Sequence, residues 1–154
     1  MRAVWTQKVG HDEMDEFKKR YISYLSDLRP YEDPSEPYTD EEAWEAISDP
    51  GLSKMWIVCD GEKAGFAVFY HDAVLSPSMW YISQFCIFPE YRRRHIGTDA
   101  VQLLKGFMDR VFFLILDRNP ALEFWKKCFS DYREFTHPEI ISQPYERYYC
   151  YKRI

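Results

Sequence analysis

The spacing of apolar residues along this chain predicts four helices. Residues 12–28 carry apolar side chains at three- and four-residue steps, the period of a helix with one buried face. Thr39 and Glu42 have the spacing of a capping box, which predicts the start of a short second helix. A third helix is expected to begin near His95, and a fourth at 120–128, with proline in its first turn. The buried face of the third helix is expected to comprise Ile96, Ala100, Leu103, Leu104, Phe107 and Met108.

Shorter apolar segments between these helices predict seven strands. The strands are expected at residues 3–7, 54–59, 63–73, 79–88, 111–116, 132–135 and 146–152. Asp60-Gly61 predicts a tight hairpin turn between the second and third strands, because glycine accepts the positive φ of such a turn. A hairpin pairs its strands antiparallel, whereas a helix between two strands implies a parallel crossover. The sequence therefore predicts an α/β fold with a mixed sheet, in the order β-α-α-β-β-β-α-β-α-β-β.

Composition indicates a single folded domain over residues 1–154. The chain is 46% hydrophobic and 18% aromatic, which differs strongly from the composition of a disordered chain. Its longest apolar run, at 111–116, is much shorter than the ~20 residues that cross a bilayer. The first residues lack the apolar segment of a secretory signal. We therefore expect a cytoplasmic protein that does not act at a membrane.

Charge and cysteine content narrow the expected chemistry. The formal net charge is −5, which argues against nucleic acid as a partner because phosphate-binding surfaces are usually basic. It is compatible with a cationic amine substrate. The four cysteines, Cys59, Cys86, Cys128 and Cys150, lie far apart and lack the spacing of metal ligands. We therefore expect no metal site and reduced, mostly buried thiols.

Candidate chemistry concentrates in residues 85–98, where a strand ends in a basic turn that leads directly into a helix. The first turn of a helix has backbone N–H groups without partners and a partial positive charge, so it binds anions. Arg92, Arg93 and Arg94 lie just before this helix start. Gly97 would let a phosphate approach the backbone. The local sequence is equally compatible with an alternative. In it, the turn is a solvated basic turn, and Gly97 serves only close packing of the helix.

This segment resembles the signature of the GNAT superfamily of N-acetyltransferases, Arg/Gln-x-x-Gly-x-Gly/Ala, often preceded by Pro-x-Tyr-Arg. Residues 89–97 read Pro-Glu-Tyr-Arg-Arg-Arg-His-Ile-Gly, so His95 replaces the first glycine. Residues 119–129 resemble the family's Asn-x-x-Ala-x-x-Phe-Tyr motif, with one residue fewer between Asn119 and the aromatic pair. The predicted element order is also that of the family, so the resemblance covers most of the chain.

The resemblance implies that the chain binds acetyl-CoA as its acyl donor. In the family, the basic loop holds the pyrophosphate, and the fourth strand diverges from the parallel fifth strand at a bulge and lends backbone groups to the pantetheine arm. The cofactor-binding residues implied here are Phe85, Cys86, Ile87, Arg92, Arg93, Arg94, His95, Ile96, Gly97, Thr98, Asn119 and Trp125. His95 has a Cβ, so it must adopt the loop conformation at some cost or shift the phosphate.

The resemblance also implies where catalytic groups would lie. In the family, the general base often comes from the fourth strand, at positions that match Tyr81 and Ser83 here. The family's general acid often comes from the position that matches Trp125. A phenol can relay a proton and a serine can orient a water, but neither is a carboxylate or imidazole. Both could equally be ordinary strand residues. Trp125 cannot protonate a thiolate and is better interpreted as a core aromatic, which leaves proximity as the main expected source of rate.

Several further side chains are weaker candidates. No His or Asp is spaced to activate Cys86 as a nucleophile, so a buried thiol is expected. His71 and Asp72 are neighbours on a strand and point to opposite faces. His137 is expected to be an exposed turn histidine. Asp117 could serve as a base but is better interpreted as a helix cap.

The expected function is N-acetyl transfer from acetyl-CoA to a primary amine of a small molecule or peptide, by direct attack. Acidic residues between and within the first two helices could attract a cationic amine, although those at the helix start also complement its dipole. They are Glu32, Asp33, Glu36, Asp40, Glu41, Glu42 and Glu45. The alternative is a catalytically weak or inactive module of the same fold that binds CoA or a protein partner. Phosphate or RNA binding through the three arginines is a third interpretation, and a homodimer is compatible with the sequence.

Overall fold

The computed structural model describes residues 3–116 and 118–154. These residues form seven strands and four α-helices in the predicted order. The elements are β1 (Val4–Lys8), α1 (Met14–Leu28), α2 (Asp40–Ile47), β2 (Ser53–Cys59), β3 (Glu62–Asp72), β4 (Met79–Ile87), α3 (Ile96–Lys105), β5 (Arg110–Leu116), α4 (Leu122–Cys128), β6 (Tyr132–Phe135) and β7 (Glu146–Arg153). No helix within the described residues is long and apolar enough to cross a membrane.

The seven strands form one mixed sheet in the order β1-β2-β3-β4-β5-β7-β6. Only β4 and β5 pair in parallel, and the other neighbours are antiparallel. The predicted mixed α/β fold is therefore confirmed. Asp60 and Gly61 have φ values of 52° and 84°, so the β2–β3 hairpin has the two positive φ angles of a type I′ turn.

The helices cover opposite faces of the sheet. On one face α1 and α2 bury an aromatic cluster that includes Phe17, Trp56 and Phe66. On the other face α3 and α4 pack on a core that includes Leu104 and Phe113. Alternate residues of β3 belong to opposite cores, as the two-residue period of a strand requires.

Two helix predictions need correction. α3 ends at Lys105, and Leu103 and Phe107 are 42% and 47% exposed, so both lie outside its buried face. α4 begins at Leu122, so Pro120 precedes the helix. The reason is a turn in which the Asn119 side chain accepts a hydrogen bond from the Ala121 amide at 2.9 Å.

The four cysteines are buried, as predicted, and none of them forms a disulfide. Their burial places the thiols in the apolar cores on both faces of the sheet. Within the part of the chain that the structure describes, no group of three or more His, Cys, Asp and Glu side chains could hold a metal ion.

Candidate active site

The two parallel strands at the centre of the sheet pair over only a short length. Trp80, Tyr81 and Ile82 of β4 pair with Val111, Phe112 and Phe113 of β5. Beyond Ile82 the pairing stops, although β4 continues to Ile87 and β5 to Leu116. The strands therefore diverge, as the resemblance predicted, and no described strand pairs with the β5-facing edge of β4 beyond Ile82.

A β-bulge lies at the point of divergence. Val68 of β3 pairs with Gln84, whereas the next residue, Phe69, pairs with Ile82. Ser83 is therefore the extra residue of β4. Bulges bend a strand and increase its twist, so this one turns the end of β4 away from β5.

A cleft of about 1040 Å³ opens between the diverging strands. Its walls come from α1, α2, the loop between them, β4, β5, the start of α3, the start of α4 and the first residue of β7. Every site residue predicted from the sequence lines this cleft except Arg94. The Arg94 guanidinium instead lies 5.8 Å from the centre of the Tyr91 ring.

The backbone between β4 and α3 forms a turn that contains two left-handed residues. Arg93 and His95 have φ values of 64° and 60°, and Arg94 between them does not have a positive φ. Successive N–H groups of such a turn can line one concave space, an arrangement that favours a bound anion. His95 therefore adopts the loop conformation in which the family has glycine. His95 is also the N-cap of α3 and makes no side-chain capping bond, so the first amides of α3 remain available.

Gly97 serves close packing between α3 and its neighbours. A Cβ added at Gly97 would lie 3.3 Å from the Phe124 ring and 3.4 Å from the Ile87 side chain. The 3.3 Å distance is shorter than most carbon contacts, and 3.4 Å is at the lower limit of ordinary contact. The packing interpretation left open by the sequence therefore has structural support, and Gly97 lets α3 approach β4 and α4 beside the cleft.

Arg92 holds the basic turn against the rest of the protein. Its Nε donates a hydrogen bond to the Ile87 carbonyl at 2.9 Å, and its guanidinium lies 3.6 Å from Asp27 of α1. These contacts fix the end of β4 relative to α1. Arg93 also lines the cleft, and its side chain is exposed.

The base of the cleft is aromatic. Trp125 is 7% exposed and packs edge-on against Phe85 at 5.1 Å between ring centres. It also lies 5.0 Å from the Phe113 ring. This environment is that of a core aromatic, and it places no proton donor at the position where the family often has tyrosine.

The two side chains predicted to be catalytic, Tyr81 and Ser83, both line the cleft. Tyr81 stacks on Phe112 with 4.6 Å between ring centres, and burial and the nearby Tyr148 raise the pKa of its phenol. A neutral phenol can relay or donate a proton but is a poor base at neutral pH. Ser83 accepts a weak hydrogen bond from Gln84 at 3.4 Å.

The weaker candidates do not form a catalytic centre. Cys86 is 7% exposed, and burial raises the pKa of its thiol to about 11, so it is an inert thiol as predicted. The His71 ring lies outside the cleft, tilted by 31° against the Trp80 ring with 4.9 Å between ring centres. The expectation for His137 is wrong. Its ring is buried because Nε2 contacts the Ser76 carbonyl at 3.2 Å and Nδ1 accepts the Glu139 amide at 3.1 Å. Asp117 lies outside the described residues.

Sequence reasoning missed two carboxylates that line the cleft, Asp27 of α1, which pairs with Arg92, and Glu146. Glu146 is the first residue of β7 and pairs with Leu116 at the end of β5. Burial raises the pKa of Glu146, and nearby Glu36, Glu32 and Asp33 raise it further. The sequence carries no signal for this position, because only the β5–β7 register brings the residue beside the diverging strands.

The left-handed conformation of His95 gives a testable stability effect. Outside glycine this conformation costs about 1 kcal/mol, and a β-branched residue tolerates it worst. We expect His95→Gly to be at least as stable as the wild type, and His95→Val to lower the free energy of unfolding by about 1–2 kcal/mol. Urea unfolding of the three proteins measures both. A valine variant as stable as the wild type would show that this turn can relax.

The chain belongs to the acetyltransferase (GNAT) family, whose pattern matches residues 15–129. Members of this family are transferases, and acetyl-CoA is the family's acyl donor. A search of functionally curated proteins by sequence found no match.

Solved structures of acetyltransferases share the fold at low sequence identity. An acetyltransferase from Thermus thermophilus is 14% identical with a TM-score of 0.68, covering 96% of each chain. The PaiA N-acetyltransferase from Thermoplasma acidophilum, solved in complex with coenzyme A, is 12% identical with a TM-score of 0.66, covering 97% of this chain and 99% of that one. NAA60 from Arabidopsis thaliana, solved with a bisubstrate analogue, is 13% identical with a TM-score of 0.61, covering 97% and 96%.

Proposed function

We propose that this protein transfers the acetyl group of acetyl-CoA to a primary amine of a small molecule or peptide by direct attack. The observation that carries the proposal is the divergence of β4 from β5 at the Ser83 bulge, directly beside the left-handed turn at the start of α3. The divergence and the turn supply one continuous cleft with an anion-binding end and an open strand edge.

The residues of the donor end fit an extended molecule that carries a diphosphate. The amides of residues 93–98 and the Arg93 side chain would hold the diphosphate. The backbone of β4 at Phe85–87 would pair with the amides of the pantetheine arm, because its partner strand has already diverged. Acetyl-CoA supplies an activated thioester when bound, and the chain supplies alignment, which is worth up to ~7–11 kcal/mol in rate.

The acceptor end of the cleft is acidic and aromatic. Glu32, Asp33 and Glu36 lie in the loop between α1 and α2, and all three line the cleft. A primary amine is cationic at neutral pH, so these carboxylates favour its approach. Tyr81 and Ser83 line the same cleft, and we propose that they orient the amine toward the acyl carbon.

Acetyl-CoA binding and amine acetylation test the proposal together. We expect isothermal titration to show saturable heat with acetyl-CoA. Incubation with a panel of polyamines, aminoglycosides and lysine-bearing peptides should release free CoA thiol and give acetylated product by mass spectrometry. No heat and no thermal shift at millimolar acetyl-CoA would overturn the proposal.

A second candidate, a weak or inactive module that binds CoA or a protein partner, is favoured by one observation. Buried Trp125 occupies the position of the family's usual proton donor and has no acidic proton. This candidate predicts binding of acetyl-CoA without acetylated product across the whole amine panel, so the same two measurements separate the candidates.

A further inference from the structure

The acceptor wall of the cleft carries one carboxylate that projects from the sheet itself. Glu146 pairs with Leu116, and Tyr148 pairs with Leu114, so both side chains lie on the same face of β7. Tyr81 is on that face too, since its partner Phe112 lies two residues before Leu114. Tyr81, Tyr148 and Glu146 therefore follow one another along the wall.

Each of the other carboxylates of the cleft either has a hydrogen-bond or ion-pair partner or is exposed to solvent. They are Asp27, Glu32, Asp33, Glu36 and Glu42. Asp27 lies 3.6 Å from the Arg92 guanidinium, and Glu32 accepts the Tyr38 hydroxyl. Asp33 accepts the Ser35 amide at 2.9 Å, and Glu42 accepts the Thr39 amide at 3.1 Å. Glu36 lies on an exposed loop.

Glu146 differs from these carboxylates in its surroundings. Its side chain is half-buried, and within residues 3–116 and 118–154 it has no hydrogen-bond or ion-pair partner. The groups that face it are Glu32, Asp33 and Glu36 from the α1–α2 loop, Tyr148 from its own strand and Tyr81 from β4. Four carboxylates around one space favour a bound cation, and a half-buried carboxylate among like charges is a stronger base than an exposed one.

We propose that Glu146 is the general base that removes a proton from the substrate ammonium. The inference rests on the proposed function and names the catalytic group that β4 lacks. Glu146 is the carboxylate of the cleft that is half-buried, unpaired and on the same sheet face as Tyr81. An ammonium with a pKa near ~10 needs such an acceptor before its nitrogen can attack.

Acetyl transfer moves one proton of the ammonium to Glu146 and a second to the departing thiolate. One ammonium proton moves to the Glu146 carboxylate, which leaves a lone pair on nitrogen. The nitrogen forms a bond to the acyl carbon, and the carbon–sulfur bond breaks with its electron pair on sulfur. The second proton lost by nitrogen neutralises the departing thiolate, directly or through water. The Glu146 carboxyl then releases its proton to solvent.

Tyr148 is a positioning residue for this base. Its ring meets the Tyr81 ring edge-on with 6.5 Å between centres, and the two hydroxyls lie within reach of each other. The hydroxyls of Tyr81 and Tyr148 are polar groups on a wall of the cleft that is otherwise lined by apolar side chains of β5. Tyr148→Phe retains the ring and removes the hydroxyl.

The test compares Glu146→Gln with Glu134→Gln, an exposed glutamate of β6 that does not line the cleft. For the amine that the wild type acetylates best, we expect Glu146→Gln to lower kcat by about 10²–10⁴-fold, the range of general base catalysis. The dissociation constant for acetyl-CoA should stay within about threefold. Glu134→Gln should match the wild type, and Tyr148→Phe should lower kcat by less than Glu146→Gln.

The pH profile of kcat separates a base from a binding group. A base must be deprotonated, so wild-type kcat should fall as pH drops through the raised pKa of Glu146, and this acid limb should be absent in Glu146→Gln. A higher KM for the amine with unchanged kcat and an intact acid limb would overturn the inference and leave the proposed function standing. A wild-type protein that does not bind acetyl-CoA would overturn the proposed function itself.

Discussion

Arg93→Glu should weaken acetyl-CoA binding by about 10–100-fold. Arg93 lines the cleft at the left-handed turn, where its guanidinium can meet a diphosphate. Loss of one charge-assisted hydrogen bond costs about 1.5–3 kcal/mol, and each 1.4 kcal/mol corresponds to about tenfold in affinity. The new carboxylate would also repel the ligand. Isothermal titration at fixed ionic strength measures the change directly.

The chain offers a matched control for this charge reversal. Arg94→Glu makes the same change of net charge at the next residue, whose side chain does not line the cleft. We expect its affinity for acetyl-CoA to stay within about threefold of the wild type, since screened charges outside the site contribute little. Equal losses in both variants would show that binding depends on the general field of the basic turn and not on the cleft.

Gly65→Ala should lower the free energy of unfolding by about 3 kcal/mol or more. A Cβ added at Gly65 would lie 2.1 Å from the Cys86 carbonyl oxygen and 3.1 Å from the Ile87 Cα. These are backbone atoms of the neighbouring strand, so the strain cannot be relieved by a side-chain rotation. β3 and β4 would have to separate along the segment that forms the wall of the cleft, and acetyl-CoA affinity should fall as well.

Gly51→Ala is the control for this substitution. Its added Cβ would lie 3.2 Å from one side-chain oxygen of Asp49, in an exposed turn that can adjust. We expect a change within about 1 kcal/mol in urea unfolding. If Gly65→Ala behaved in the same way, the close approach of β3 to the Cys86 carbonyl would not be a constraint on the sheet.

The elements of the fold could be predicted because their signals are local. The capping box at Thr39 is present as expected, since its side chain accepts the Glu42 amide and the Glu42 carboxylate accepts the Thr39 amide, both at 3.1 Å. The Asp60-Gly61 turn is equally local. The turn at residues 92–97 could be recognised from the sequence because the residues that determine its backbone conformation, and any anion binding, are adjacent along the chain.

The residues that could not be predicted depend on long-range pairing. Glu146 reaches the cleft only through the β5–β7 register. His137 is buried because it contacts Ser76, which is 61 positions away in sequence. Leu103 and Phe107 fit the helical period, but the packing of α3 and the end of the helix leave them exposed. Periodicity assigns a face and cannot show which part of that face another element covers.

The short pairing between β4 and β5 separates the groups that would bind the donor from those that would select the acceptor. Three residue pairs join the half of the sheet that leads into the left-handed turn before α3 to the half that carries Glu146. The groups that would select an acceptor come from the α1–α2 loop and β7, whereas those that would hold the donor come from β4 and α3. We expect substitutions in residues 32–36 to retarget the protein to a different amine while its affinity for acetyl-CoA is inherited unchanged.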